Sequence, residues 1–247
     1  MDNRTLGQSI RSRGSADVTE SHREWTAGHD NGTGYHWPNK MGRMLLLALE
    51  DVLGTNGVNA VLNLAKLRHR VNNYPINNLE LQFDFGELSK IMQALEDVYG
   101  PRSGRSLAIR AGRAGFKYGL RDFGSLLGLA DLAFRLLPLS MKLRVGLNAM
   151  GDTFNNFTDQ RVRVEEKVGH FVYSIDRCPV CWSRRSDRPC CYAATGLLQE
   201  MLTWISNGKG FDIQEVACIA TGDSACTFVI DKRPLGQGPT EGLRDGI

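Results

Sequence analysis

From Met41 onward the apolar positions fall at helical spacing. Met44, Leu45, Leu47, Ala48 and Val52 share one stripe, and Gly54 closes it. Val58, Val61, Leu62, Leu64 and Ala65 predict a second, short helix behind a Thr55-Asn56-Gly57 junction, and Asn72-Asn73-Tyr74-Pro75 reads as a loop. Gly86 to Tyr99 predicts a helix with Leu88, Ile91, Met92, Leu95 and Val98 on one face, stopped by Gly100-Pro101. A third long helix is expected from Ser103 to Leu120. Residues 123–150 continue the helical pattern, apolar nearly all round and broken at Pro138. The period then changes. Arg161-Val162-Arg163-Val164 and His170 to Ile175 alternate as strands do, with Lys167-Val168-Gly169 as the turn between them. Cys190 to Ser206 returns to an amphipathic helix. Phe211 to Ile219 and Ala225 to Ile230 predict a second hairpin about Thr221-Gly222-Asp223-Ser224. The expected class is α+β: N-terminal helices packed on an antiparallel sheet built from two hairpins separated by a helix.

This pattern divides the chain into a flexible N-terminal tail over 1–38, a folded domain over 41–233 and a loose C-terminal tail over 234–247. Trp25, Tyr35 and Trp37 are unusual in a solvating tail, so they are expected either to dock on the domain or to cover a ligand. Gly112, Gly115 and Gly119 share one face of the third helix, where each costs about 1 kcal/mol of helix stability relative to alanine. Tight packing of another helix accounts for such a face, and so does close approach of a flat ligand. Phe116, Tyr118, Phe171, Tyr173 and Trp204 are candidates for an apolar ligand pocket, with plain core as the alternative.

Composition narrows the choice of partner. The 247 residues are 42% hydrophobic and 23% charged with a net charge of +3, which suits one globular domain and gives no reason to expect nucleic acid. No run approaches the eighteen apolar residues of a membrane span, and the first fourteen residues lack a secretory apolar core. A cytoplasmic setting is therefore expected, where closely spaced thiols indicate metal more often than disulfide. No phosphate loop is present, and none of the five histidines pairs with a Ser or Cys nucleophile in the sequence.

All six cysteines lie between Cys178 and Cys226. Cys191, Glu215, Cys218 and Cys226 form one candidate zinc set: a thiol at a helix start and two flanking a tight turn, with a carboxylate to complete a closed, structural site. Glu215 and Cys218 are three apart, which sends them to opposite faces of an ideal strand. The set therefore requires a bulge or a strand edge. Cys178-Pro179-Val180-Cys181 is a second zinc half-site, whose partners are Cys190 with Cys191 or Cys218 with Cys226. Whether Cys178, Cys181 and Cys190 hold a second metal stays open at this point.

The run Cys191-x4-Gly196-Leu197-Leu198, then Glu215-x2-Cys218, Gly222-Asp223 and Cys226-x-Phe228, resembles the 4-vinyl reductase domain family. That family includes a bacteriochlorophyll-biosynthesis protein and the sensor domains of phenol-responsive activators, and is related in fold to TRAPP trafficking subunits. The resemblance implies zinc at Cys191, Glu215, Cys218 and Cys226. It also implies a homodimer that binds a small hydrophobic molecule between helices and sheet. Two further activities follow from it as alternatives: a part in tetrapyrrole 4-vinyl reduction, or a lipid-holding scaffold. Nothing in the chain resembles a nicotinamide or flavin site, so it reads as a binding module rather than a self-sufficient enzyme. The additional Cys178, Cys181 and Cys190 depart from the family pattern.

Overall fold

The computed structural model describes residues 34–124, 134 and 136–236. Strand β1 (His36–Pro38) leads directly into helix α1 (Asn39–Leu64), and β2 (Leu81–Asp84) leads into α2 (Phe85–Phe123). Each long helix is two helices in series. Gly54 (φ 70°, ψ 164°) interrupts α1 and Gly100 (φ 78°, ψ 163°) interrupts α2, where Pro101 can open the next segment because its missing N–H would be unpaired anyway. Asp84 caps α2, its Oδ1 accepting from the Gly86 N–H at 2.6 Å. Helix α3 (Leu139–Phe157) begins after Pro138, and the rest of the helical pattern expected over 123–150 lies largely outside the described residues. Strands β3 (Val162–Glu166) and β4 (His170–Ile175), helix α4 (Tyr192–Ile205), and strands β5 (Phe211–Ala217) and β6 (Cys226–Pro234) complete the order.

The chain is α+β, as its periodicities require. The two hairpins join into one antiparallel sheet of order β3-β4-β6-β5, with β4 and β6 paired from His170↔Asp231 to Ile175↔Cys226. Phe171, Tyr173, Phe228 and Ile230 point from this sheet into the core and meet Leu46, Leu49, Leu88, Ile91 and Leu95 from α1 and α2. Burying each such side chain stabilises the fold by about 1.5–3 kcal/mol. Helix α1 is long and apolar enough to cross a membrane by composition alone. Its break at Gly54 and its fully buried Leu46, Ala48 and Leu49 make it a core helix here.

Two boundaries differ from the sequence reading. The fold starts before Met41, because β1 pairs antiparallel with β2 and is anchored by His36 N–H to Asp159 Oδ2 (2.7 Å) and Trp37 Nε1 to Gln160 Oε1 (3.1 Å). Three residues are too few to show a strand period. Tyr35 packs edge-on to Trp182, and Trp37 stacks on Phe154. Trp25 and the earlier residues, like 237–247, lie outside the described part. At the second hairpin, β5 stops at Ala217, a 3-10 turn (Ile219–Thr221) follows, and Gly222 adopts φ 103° to reverse the chain.

Helices α2 and α4 cross in near contact. A Cβ on Gly112 would lie 2.0 Å from the Ala193 carbonyl oxygen, and one on Gly196 would lie 2.0 Å from that of Ile109. Gly119 has nothing within 4 Å of such an atom, and at Gly115 only the Ala48 methyl is as close as 4.0 Å. The glycine face thus divides: Gly112 serves helix packing, while Gly115 and Gly119 leave open space.

Candidate metal centre and apolar cavity

The open space beside Gly115 and Gly119 is a cavity of about 130 Å³ lined almost wholly by apolar groups. Met41, Met44 and Leu45 of α1, Phe116 and Leu120 of α2, Met150 and Phe154 of α3, and Leu197 and Met201 of α4 are among the residues of its wall. Of the aromatics singled out from sequence, Phe116 and Tyr173 are in the lining. The other three are not. Tyr118 turns to Asp51, donating to Oδ2 at 3.0 Å; Phe171 lies in the core under the Lys232 ammonium; and Trp204 packs behind Phe116 at 6.3 Å between ring centroids. Strand and helix periods place a side chain on a face, but they do not say which part of that face borders a void. Trp37, which the sequence expects to dock on the domain or to cover a ligand, is in the lining, and Gln160 joins it from a segment the sequence left unassigned.

Behind one wall of the cavity the six cysteines are all buried as free thiols. Cys191, Glu215, Cys218 and Cys226 bring one donor atom each within 4.8 Å of one another. Cys178, Cys181, Cys191 and Cys226 do the same. The sequence offered the first of these, and paired Cys178 and Cys181 with Cys190 and Cys191 or with Cys218 and Cys226; in the structure the second set takes one cysteine from each of those pairs and shares Cys191 and Cys226 with the first. Sulfur–sulfur distances are 3.5 Å for Cys178···Cys191, 3.3 Å for Cys181···Cys226, 3.5 Å for Cys191···Cys226, and 3.8 Å from Cys218 to each of Cys191 and Cys226. A tetrahedron with metal–sulfur bonds of about 2.3 Å has edges of about 3.8 Å. The donors are spaced for a single ion at each set, and the cluster could hold a metal. Cys190, although buried, falls outside both sets.

Local structure brings these groups together. Cys191 is the N-cap of α4, and its backbone N–H donates to Glu215 Oε2 at 2.8 Å. β5 is an edge strand, and its register slips at Val216: Glu215 pairs with Phe228, yet Ala217 pairs with Thr227. That bulge is the irregularity needed for residues three apart to reach one point. Cys218 N–H is held by Asp223 Oδ2 at 2.9 Å, and Ile219 N–H donates to the Cys226 sulfur at 3.4 Å. The Cys178–Cys181 knuckle is fixed from the helix side, where Ser89 Oγ donates to the Trp182 carbonyl at 2.6 Å.

The electrostatics favour a cation. Burial, then the charge of the Cys218 sulfur, push the Glu215 carboxyl up to about 8, against the pull of the Cys191 N–H. Its Oε1 is buried with no hydrogen-bond partner among the described residues. Burial, followed by hydrogen bonding with Cys178 and Cys181, drives the Cys191 thiol well above its ordinary value. A divalent ion would relieve both by stabilising the anionic forms.

The folding class is that of the H-NOX structures. An H-NOX protein from S. oneidensis in the Fe(II)NO ligation state is 14% identical with a TM-score of 0.51, the match covering 76% of this chain and 97% of that one. An unliganded Fe(II) H-NOX protein from K. algicida is 15% identical with a TM-score of 0.52, covering 78% and 95%. An H-NOX structure concerned with haem distortion is 14% identical with a TM-score of 0.53, covering 81% and 98%. At these identities the likeness is one of fold. Residues 171–232, from β4 to β6, match the V4R domain, the family that the Cys191–Phe228 motif resembles. No curated protein matches the chain.

Proposed function

We propose that this chain is a sensor or carrier module for a small uncharged hydrophobic molecule, with a structural zinc ion at Cys191, Glu215, Cys218 and Cys226. The observation that supports it is the adjacency of cavity and cysteines. Pro179 and Val180, inside the Cys178–Cys181 knuckle, and Ala193 and Ala194, next to Cys191, line the cavity. An ion at the cluster would fix that wall without having an open coordination position, as structural zinc sites do. A void of this size suits a ligand of about one aromatic ring, since an engineered apolar cavity of about 150 Å³ takes up benzene. Tyr173, Thr153, Gln160 and Trp37, whose indole N–H donates to Gln160, carry the polar groups of the lining residues and would orient at most a hydroxyl or similar group.

The neighbours in fold include haem proteins by description, but the lining here speaks for a different ligand. Among the described residues it contains no histidine to hold haem iron and no Lys or Arg to receive haem carboxylates. By resemblance to the V4R family the module would act as a cytoplasmic homodimer and bind rather than transform its ligand.

The test is calorimetric titration with toluene and with phenol. Saturable binding to the wild-type chain is expected, weakened at least about tenfold in Gly115→Leu, whose side chain would occupy the cavity. Absence of saturable binding for both probes, or binding indifferent to Gly115→Leu, would contradict the reading.

A further inference from the structure

We infer that the cysteine cluster is a dinuclear, thiolate-bridged centre in which a second divalent ion is held by Cys178, Cys181, Cys191 and Cys226. The inference deepens the reading above and rests on its zinc site.

The two four-donor sets share Cys191 and Cys226, whose sulfurs lie 3.5 Å apart. Two tetrahedra that share an edge have this arrangement, with the shared thiolates bridging. Filling one set alone leaves a problem behind. An ion in the Cys178/Cys181 set strands Cys218, which is 0% exposed, and the orphaned Glu215 Oε1. An ion in the Glu215/Cys218 set leaves Cys178 and Cys181, both 0% exposed, with only weak thiol hydrogen bonds to Cys191 and Cys226 at 3.5 and 3.3 Å. Buried polar groups whose partners are weak or missing destabilise the fold. Only occupation of both sets gives every one of these donors a metal bond.

Charge supports the same arrangement. Two divalent ions against five thiolates and one carboxylate leave a net charge of −2, and a buried anion needs a nearby cation. Arg184 supplies it. Its side chain is 6% exposed, its Nη2 binds Glu96 at 2.7 Å, and its buried Nη1 has no hydrogen-bond partner among the described residues. The Cys190 sulfur lies close enough to interact with it electrostatically. Cys190, outside both sets, interacts with the guanidinium and with Cys191 and Cys218 of the centre. The knuckle carrying the second ion also carries Pro179 and Val180 into the cavity wall, so that ion sets one surface of the ligand site.

The experiment is metal stoichiometry by elemental analysis and native mass spectrometry on protein purified without chelator and supplied with zinc. Two equivalents per chain are expected. The Cys178→Ser/Cys181→Ser variant should retain one, at the other set. Should that variant fail to fold, ¹¹³Cd NMR of the cadmium-substituted wild-type chain decides: bridging predicts two resonances that couple to each other. One equivalent, or two uncoupled resonances, would overturn the bridged centre while leaving the zinc reading intact. Iron with acid-labile sulfide, or no metal at all, would overturn both.

Discussion

Glu166 on β3 accepts from the Arg144 guanidinium of α3 and lies 2.8 Å from the Lys232 ammonium of β6, joining three elements at the sheet's open end. Hydrogen bonds first from Arg144 and then from Lys232 pull its carboxyl down to about 2, from an ordinary 4.5. A depressed carboxylate stabilises the fold above its unfolded value and loses that effect as pH falls toward the folded value. The advantage of the wild-type chain over Glu166→Gln should therefore be constant above pH 4.5 and shrink progressively between 4.5 and 2. Urea midpoints measured across that range would show it, and a difference independent of pH would count against it. At the same scale, Cys191, Glu215, Cys218 and Cys226 were legible as a group because donor chemistry and short spacing are printed in the chain. Their merger with Cys178 and Cys181 was not. The loop from 176 to 191 has no period, and nothing in a list of residues says where an aperiodic loop folds back.

Helices were legible for a different reason. Stripes such as Leu88, Ile91, Met92 and Leu95 repeat one period for several turns, and all four are buried in α2. Strands β1 and β2 escaped notice because three or four residues give alternation no room to show. The glycine face of α2 was recognised, but its division between packing and cavity depends on what stands opposite, which only the fold supplies. That division makes a sharp prediction. Gly112→Ala would push its methyl into the Ala193 carbonyl at 2.0 Å and should cost about 1–3 kcal/mol or more, read as a lower melting temperature. Gly119→Ala meets nothing within 4 Å and should gain up to about 1 kcal/mol from helix propensity while reducing the cavity. Equal effects at the two positions would show that the α2–α4 crossing is looser than described.

For the whole molecule, the four-stranded sheet and the helical layer enclose an apolar cavity, and the cysteine centre forms the structure behind one of its walls. Residues 171–232 carry both the V4R match and all six donor groups, Cys178, Cys181, Cys191, Glu215, Cys218 and Cys226, so the part that matches the V4R domain is the cysteine-bearing wall. The N-terminal helices contribute the opposite, purely apolar surface. On this account metal and ligand sites are one construction, and loss of metal should loosen the wall without unfolding the helical layer. Amide hydrogen exchange, compared between zinc-loaded and chelator-stripped protein, measures this most directly. The account predicts that residues 180–194 lose protection on stripping while Leu46, Leu49, Ile91 and Leu95 keep theirs. Unchanged exchange over 180–194 would contradict it.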